Sequence, residues 1–385
     1  MAALATNLTL ARLIAPSEFG LVATVQAVTL VIFVFFDFGV STWITRVTAV
    51  GDTGRIEAGL RLNQISSLTG AAVAMMVAWF LGQGSSFGYA FILIALAFAF
   101  EKSGDAIMGI PIARGDRPRL LRAILMRRLI ALAVFFGLVL AEASPIPSFS
   151  FATLLGASLS WIYVRKTSYG VIDTRSSPFA LRMTLRECYP FFIANITAAV
   201  RNLDVPIISF VSGASASGMW AAAHKLTTPF MLIPGAISSA IVPYSSKASA
   251  PQVRAAGKKL IAVHLIMLLV LLVLGLFSDE LVALVLGSQY AEAGPILQWT
   301  LLAFPLIALS TSLGGLLQGF GHERFVASNG ALFSTALILG IVVSASLASL
   351  PAVAITVFFV YFVKVALLVM RLLSSTAQPK DGSSA

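Results

Sequence analysis

The chain has 385 residues, 58% of them hydrophobic and only 11% charged, with a net charge of +10 and a mean hydropathy of +0.93. Soluble domains carry about 25% charged residues, so an aqueous globular fold is excluded. The positive charge is dispersed between apolar stretches, which excludes nucleic acid as its partner; anionic membrane lipids account for it.

Twelve apolar stretches are expected to cross a bilayer as helices: 1–14, 20–45, 60–81, 88–108, 121–141, 149–169, 188–211, 217–243, 260–277, 294–319, 326–347 and 352–373. They are long and continuously apolar, so a strand barrel is excluded. The first is short against the roughly 20 residues a span needs, and it has no basic segment of the kind that opens a signal peptide. Trp43, Trp79, Trp220 and Trp299 sit near expected interfaces, where an amphipathic ring is favoured; Trp161 does not. The single cysteine, Cys188, allows no intramolecular disulfide and reads as a small packing residue.

Nineteen of the 26 Lys and Arg fall in or beside the even-numbered gaps, among them Arg46, Arg117, Arg127, Arg128, Arg165, Lys258 and Arg324. The odd gaps hold Arg12 alone, with Glu18, Glu142, Asp279, Glu280 and Glu292. Basic loops stay on the cytoplasmic side. Both termini are therefore expected in the cytoplasm, the polar tail 374–385 as a disordered end. LIAPSEFGLVA (13–23) aligns with VSGASASGMWA (211–221), matching Ser17 to Ser215, Gly20 to Gly218 and Ala23 to Ala221. An all-α membrane protein of two six-helix bundles, 1–187 and 188–373, is expected, with a substrate path between halves.

No nucleophile, phosphate-loop or metal-ligand spacing is present, so neither enzymatic activity nor a cofactor or metal is expected. His224, His264 and His322 are too dispersed for a local ligand set. The informative residues are charges inside spans. Arg201 lies about 20 Å into the seventh stretch at 1.5 Å per residue. Such a charge must face protein or water. Asp204 shares its face, and Pro206 removes the backbone bond to the Asn202 carbonyl. The alternative is an ion pair that only locks helices. In the eighth stretch His224 and Lys225 precede Pro229, Pro234 and Pro243, which imply a bent helix; Lys225 either binds an anion or snorkels to the interface. Glu101, Lys102 and Asp105 form a local cluster that reads first as salt bridges. Asp37 is a proton site or the partner of a cation such as Lys364.

Ala11-Arg12-Leu13-Ile14, Pro16-Ser17-Glu18-Phe19-Gly20 and Asp37-Phe38-Gly39-Val40-Ser41 resemble the opening of the oligosaccharide flippases of the multidrug/oligosaccharidyl-lipid/polysaccharide exporter superfamily. RNLDVPIISFVSGASASGMWAAAHKLTTP resembles that family's second-half opening, with Trp220 where a Tyr is usual. The resemblance implies two bundles around a cavity that opens alternately to each side of the bacterial inner membrane. It implies as cargo a polyprenyl-pyrophosphate-linked oligosaccharide, for lipopolysaccharide or exopolysaccharide synthesis, with glycan polymerase or glycosyltransferases as further partners. Arg201 and Lys225 suit a diphosphate. Three other readings stand beside it: a cation-coupled multidrug exporter of the same superfamily, a membrane glycan polymerase or ligase, and a scaffold that transports nothing.

Overall fold

The computed structural model describes residues 2–51, 53–169, 181–231, 241, 244–245, 248–347 and 349–374. Hydrocarbon offers the backbone no hydrogen-bond partner, so apolar runs must close their bonds internally, and they do so as helices. In chain order these are α1 (Ala2–Leu13), α2 (Pro16–Asp37), α3 (Val40–Val50), α4 (Thr53–Leu81), α5 (Gly88–Ala113), α6 (Arg117–Leu140), α7 (Pro145–Tyr169) and α8 (Leu181–Ala199). There follow α9 (Asp204–Ser212), α10 (Ala214–Thr227), α11 (Ala250–Gly275), α12 (Ser278–Val285), α13 (Gly294–Gly319), α14 (Glu323–Leu347) and α15 (Leu350–Ser374). Tighter 3-10 turns occupy Val200–Leu203, Thr228–Met231 and Ser288–Ala293.

Local sequence sets the starts. Pro16 opens α2, where its missing N–H costs nothing, and the Glu18 carboxylate accepts from the Ala15 N–H at 3.2 Å. Asp116 caps α6 by accepting from the Arg119 N–H at 3.1 Å. The Gln252 side chain accepts from the Ser249 N–H at 2.8 Å at the head of α11.

Eleven of the expected spans fall on one or two of these helices, and the eighth, 217–243, begins on α10 before leaving the described residues; the protein is an all-α polytopic membrane protein. Among the described residues, seven helical stretches are long and apolar enough to cross a membrane unaided, from Pro16–Asp37 to Leu350–Ser374. Others depart from that simple form for visible reasons. α5 carries Glu101, Lys102 and Asp105, and the seventh stretch divides into α8, a 3-10 turn and α9.

The second stretch is not the continuous helix expected over 20–45. It breaks between α2 and α3, where Phe38 and Gly39 take left-handed φ values of 49° and 77°. Two of the tryptophans expected at interfaces are core residues instead: Trp43 and Trp220 are each only 1% exposed.

The described residues form two compact units, Met1–Gly218 and Met219–Ala385. In the first, α5 packs along α3, α4 and α7, and α6 lies against α7. Trp43, Ile44, Leu60, Ile107 and Cys188 belong to its core. In the second, α13 packs against α11 and α15, with α14 against α15, around Val253, Leu313, Leu316 and Leu368. The repeat predicts halves at 1–187 and 188–373; the compact units divide the chain at 218/219 instead, and α8 and α9 pack on α2 in the first unit. The tail from 375 onward, with Pro234 and Pro243, lies outside the described residues.

The repeat-matched glycines meet. A Cβ on Gly20 would stand 1.8 Å from the Ala214 carbonyl oxygen, and one on Gly218 would stand 1.8 Å from that of Pro16. The first turns of α2 and α10 thus cross backbone on backbone, an approach only glycine permits. We predict that Gly20→Ala and Gly218→Ala each lower the melting temperature of the purified protein, at a cost of about 1–3 kcal/mol. Gly137→Ala in α6, where no atom lies within 4 Å, should leave it unchanged or raise it. Equal melting of all three variants would refute the crossing.

Candidate functional site

Polar side chains of the first unit bond across the break between α2 and α3 and between α5 and α6. Asp37 ends α2, accepts from Ser41 Oγ at 2.5 Å, and accepts from Asn195 Nδ2 of α8 at 3.5 Å. Gly39 serves two needs here: its φ is positive, and a Cβ on it would stand 2.6 Å from the Phe192 nitrogen and 2.8 Å from the Cys188 carbonyl. α8 therefore lies directly on the break. Phe38, with a side chain and a positive φ, holds strain of about 1–3 kcal/mol, of the kind that collects at functional sites. The suggested Lys364 partner sits 5.4 Å over the Tyr361 ring in α15 of the other unit. Lys102, on α5, is a cation within electrostatic reach of Asp37.

The cluster on α5 extends across to α6. Arg127 Nη1 stands 3.0 Å from Asp105 Oδ1 and 3.3 Å from Glu101 Oε1. Arg128 Nη2 reaches Glu101 Oε1 at 3.1 Å, and Lys102 Nζ is 3.9 Å from Asp105 Oδ2. Asp105 is eight residues from the end of α5 and Arg127 ten from the start of α6, about 12 and 15 Å along their axes. The Arg127 side chain is 12% exposed. Bonds among such groups are strengthened by the low dielectric, and so is the cost of leaving one unpaired.

Two further polar contacts tie the unit together. Glu187 of α8 accepts from Trp43 Nε1 at 3.1 Å and pairs with Arg55 of α4. Asn63 Nδ2 donates to the Ser103 carbonyl at 3.3 Å, and Trp161 Nε1 donates to Ser103 Oγ at 3.1 Å. That bond explains a tryptophan away from the interface.

The second-half opening is broken as Pro206 suggests, though the 3-10 turn lies just upstream, at Val200–Leu203. Asn202 is half-buried within it. Asp204 heads the resumed helix, where its Oδ1 accepts from the Val205 N–H at 2.8 Å; a carboxylate is favoured at that end. The Arg201 side chain, and hence the expected Arg201–Asp204 pair, lies outside the described residues. In α10 the His224 ring lies 4.7 Å from the Trp220 ring, and Lys225 is half-buried beside it. Pro229 ends the regular helix. The Thr227 and Thr228 hydroxyls donate back to the His224 carbonyl at 2.8 and 3.4 Å on the last turn of the helix.

Arg127, Arg128, Glu187, Asn63 and Asn195 were not expected at a site. The arginines read as loop flanks; for Asn63 and Asn195, a polar residue inside an apolar run is the signal.

Residues 9–295 match the model of the polysaccharide biosynthesis protein family, and the chain belongs to that family. No curated protein matches closely enough in sequence to count as a relative. Among solved structures, a multidrug resistance MATE family transporter of the MOP superfamily in an inward-facing conformation aligns with a TM-score of 0.74 at 15% identity, covering 97% of this chain and 94% of the other. The lipid II flippase MurJ in an inward closed conformation aligns with a TM-score of 0.74 at 12% identity, covering 97% and 85%. A MOP superfamily transporter from Pyrococcus furiosus, described as having a binding pocket of reverse polarity, aligns at 0.56 and 15%, covering 94% and 87%. At these identities the likeness establishes a shared fold.

Removing Arg127 leaves Glu101 to Arg128 and Asp105 to the more distant Lys102, so two carboxylates share a weakened counter-charge. We predict that Arg127→Met destabilises the protein by about 1–3 kcal/mol, and that Glu101→Gln with Asp105→Asn restores most of the loss. Thermal unfolding in detergent measures it. An Arg127→Met variant that melts like wild type would show that the network carries no stability.

Proposed function

We propose that this member of the polysaccharide biosynthesis protein family is a flippase for a polyprenyl-pyrophosphate-linked oligosaccharide. It moves this cargo from the cytoplasmic to the outer leaflet of the bacterial inner membrane by alternating access, with both termini in the cytoplasm. The observation that carries the reading is the pairing of a polysaccharide-biosynthesis family match over residues 9–295 with a fold shared with a lipid II flippase. Cargo chemistry supports it. A diphosphate is rejected by hydrocarbon and needs cationic groups at depth, while the polyprenyl tail is at home in lipid.

Arg201 and Lys225 supply the counter-charge, with Asn202, Asp204 and His224 beside them in sequence. Asp37, at its helix break, is the group whose ionisation or pairing couples the two access states. A multidrug exporter shares the fold. Organic cations favour an acid-rich site, whereas Glu101 and Asp105 are matched by Arg127, Arg128 and Lys102. The loops expected outside are short and hold a single basic residue, Arg12, which leaves little room for the machinery of a glycan polymerase or ligase.

In a strain deleted for this chain, surface polysaccharide should disappear and lipid-linked oligosaccharide accumulate in the inner leaflet, with the wild-type chain restoring export. Arg201→Ala should abolish restoration although the protein still inserts. Lys225→Ala should lower export several-fold at limiting expression. Normal export by Arg201→Ala would remove that residue from the site; restored polysaccharide without the chain would remove the cargo.

A further inference from the structure

One end of the second unit is basic and hollow. The C-terminal ends of α13 and α15 and the N-terminal ends of α11 and α14 meet there around Val253, Leu317, Phe325 and Leu372. Between the α13–α14 turn and α15 lies a cavity of about 380 Å³ lined by Gly321, His322, Glu323, Arg324, Phe325 and Arg371. This is within the usual volume range of small-ligand pockets.

The lining has a defined charge. Two arginines and one glutamate leave +1, provided His322 is neutral. His322 is buried, 7% exposed, and burial followed by the nearby Arg371 charge holds it below the usual imidazole range. Arg371 Nη2 stands 3.4 Å from His322 Nδ1, and a guanidinium can only donate. Nδ1 is therefore the acceptor and Nε2 carries the proton. The Arg371 guanidinium also lies 5.5 Å over the Phe325 ring, which fixes its plane.

We propose that this pocket is a lipid-phosphate site that holds the phosphodiester of an anionic phospholipid. A phosphodiester carries one negative charge against the pocket's net +1, and the fork of Arg371 with Arg324 beside it suits its oxygens. The pocket's flank accounts for the rest of such a ligand. Met370, next to Arg371 in α15, is 56% exposed, an apolar side chain on which an acyl chain lies. A free phosphate has no use for it. Basic pockets between helices at the membrane surface are where anionic headgroups settle.

Native mass spectrometry of the detergent-purified full chain tests this, with phosphatidylglycerol, phosphatidylcholine and inorganic phosphate as probes. Wild type should retain phosphatidylglycerol about tenfold over phosphatidylcholine, a difference of about 1.4 kcal/mol. Arg324→Gln, an exposed substitution that leaves Arg371 in place, should reduce the preference, and Arg324→Gln with Arg371→Gln should erase it. Lys258→Gln with Lys259→Gln, exposed on α11 and outside the lining, should keep it. Equal retention of both lipids by wild type overturns the proposal, as does equal loss in the lysine variant, which would assign the effect to general surface charge. Displacement of the lipid by low-millimolar inorganic phosphate would make the pocket a site for a free anion and also overturn it.

Discussion

Hydrocarbon accepts no hydrogen bond, so wherever this chain leaves the α-helix at membrane depth its own side chains must complete the bonding. It leaves the helix at Phe38–Gly39, at Val200–Leu203 and at Thr228–Met231. Short polar side chains attend each place: Asp37 with Ser41 and Asn195, Asp204 at the head of α9, and Thr227 with Thr228 on the His224 carbonyl. Each unmet backbone group would cost several kcal/mol. Breaks of this kind persist where protein or water lines them, and they mark where a polar path can run through an apolar bundle.

The same rule sorts the charges. Arg127 is held between Asp105 and Glu101, and Glu187 between Trp43 and Arg55; these groups satisfy one another and join helices. Their geometry is that of internal ties. Asp204 is engaged with backbone at a helix head, and His224 and Lys225 stand where a helix ends beside a buried tryptophan. A diphosphate cargo calls for cations in such surroundings, and Arg201 and Lys225 are the cations the chain places there in sequence.

Much of the fold was legible because it rests on one-dimensional signals. Apolar runs and the alternation of basic gaps locate the helices without knowledge of their neighbours. Gly20 and Gly218 were visible as a repeat, and their meeting explains the match as a packing requirement. What escaped depends on which way a helix faces. Arg127 and Arg128 lie close to a basic loop, so depth alone could not pair them with α5. Trp43 and Trp220 sit near span ends yet turn inward, where Trp43 reaches Glu187 and Trp220 lies against His224. Asp37-Phe38-Gly39 carried a hint of the break at 38–39, but one glycine in an apolar run is ambiguous until α8 is seen lying against it.

A broken second-half opening that borders water and not lipid exposes its side chains to aqueous reagents. With Cys188 replaced by alanine, Asn202→Cys and Lys225→Cys should each react with a water-soluble maleimide in membranes, while Leu269→Cys, at a residue 63% exposed midway along the span 260–277, should stay inert. Inert thiols at 202 and 225 together with a reactive one at 269 would contradict this.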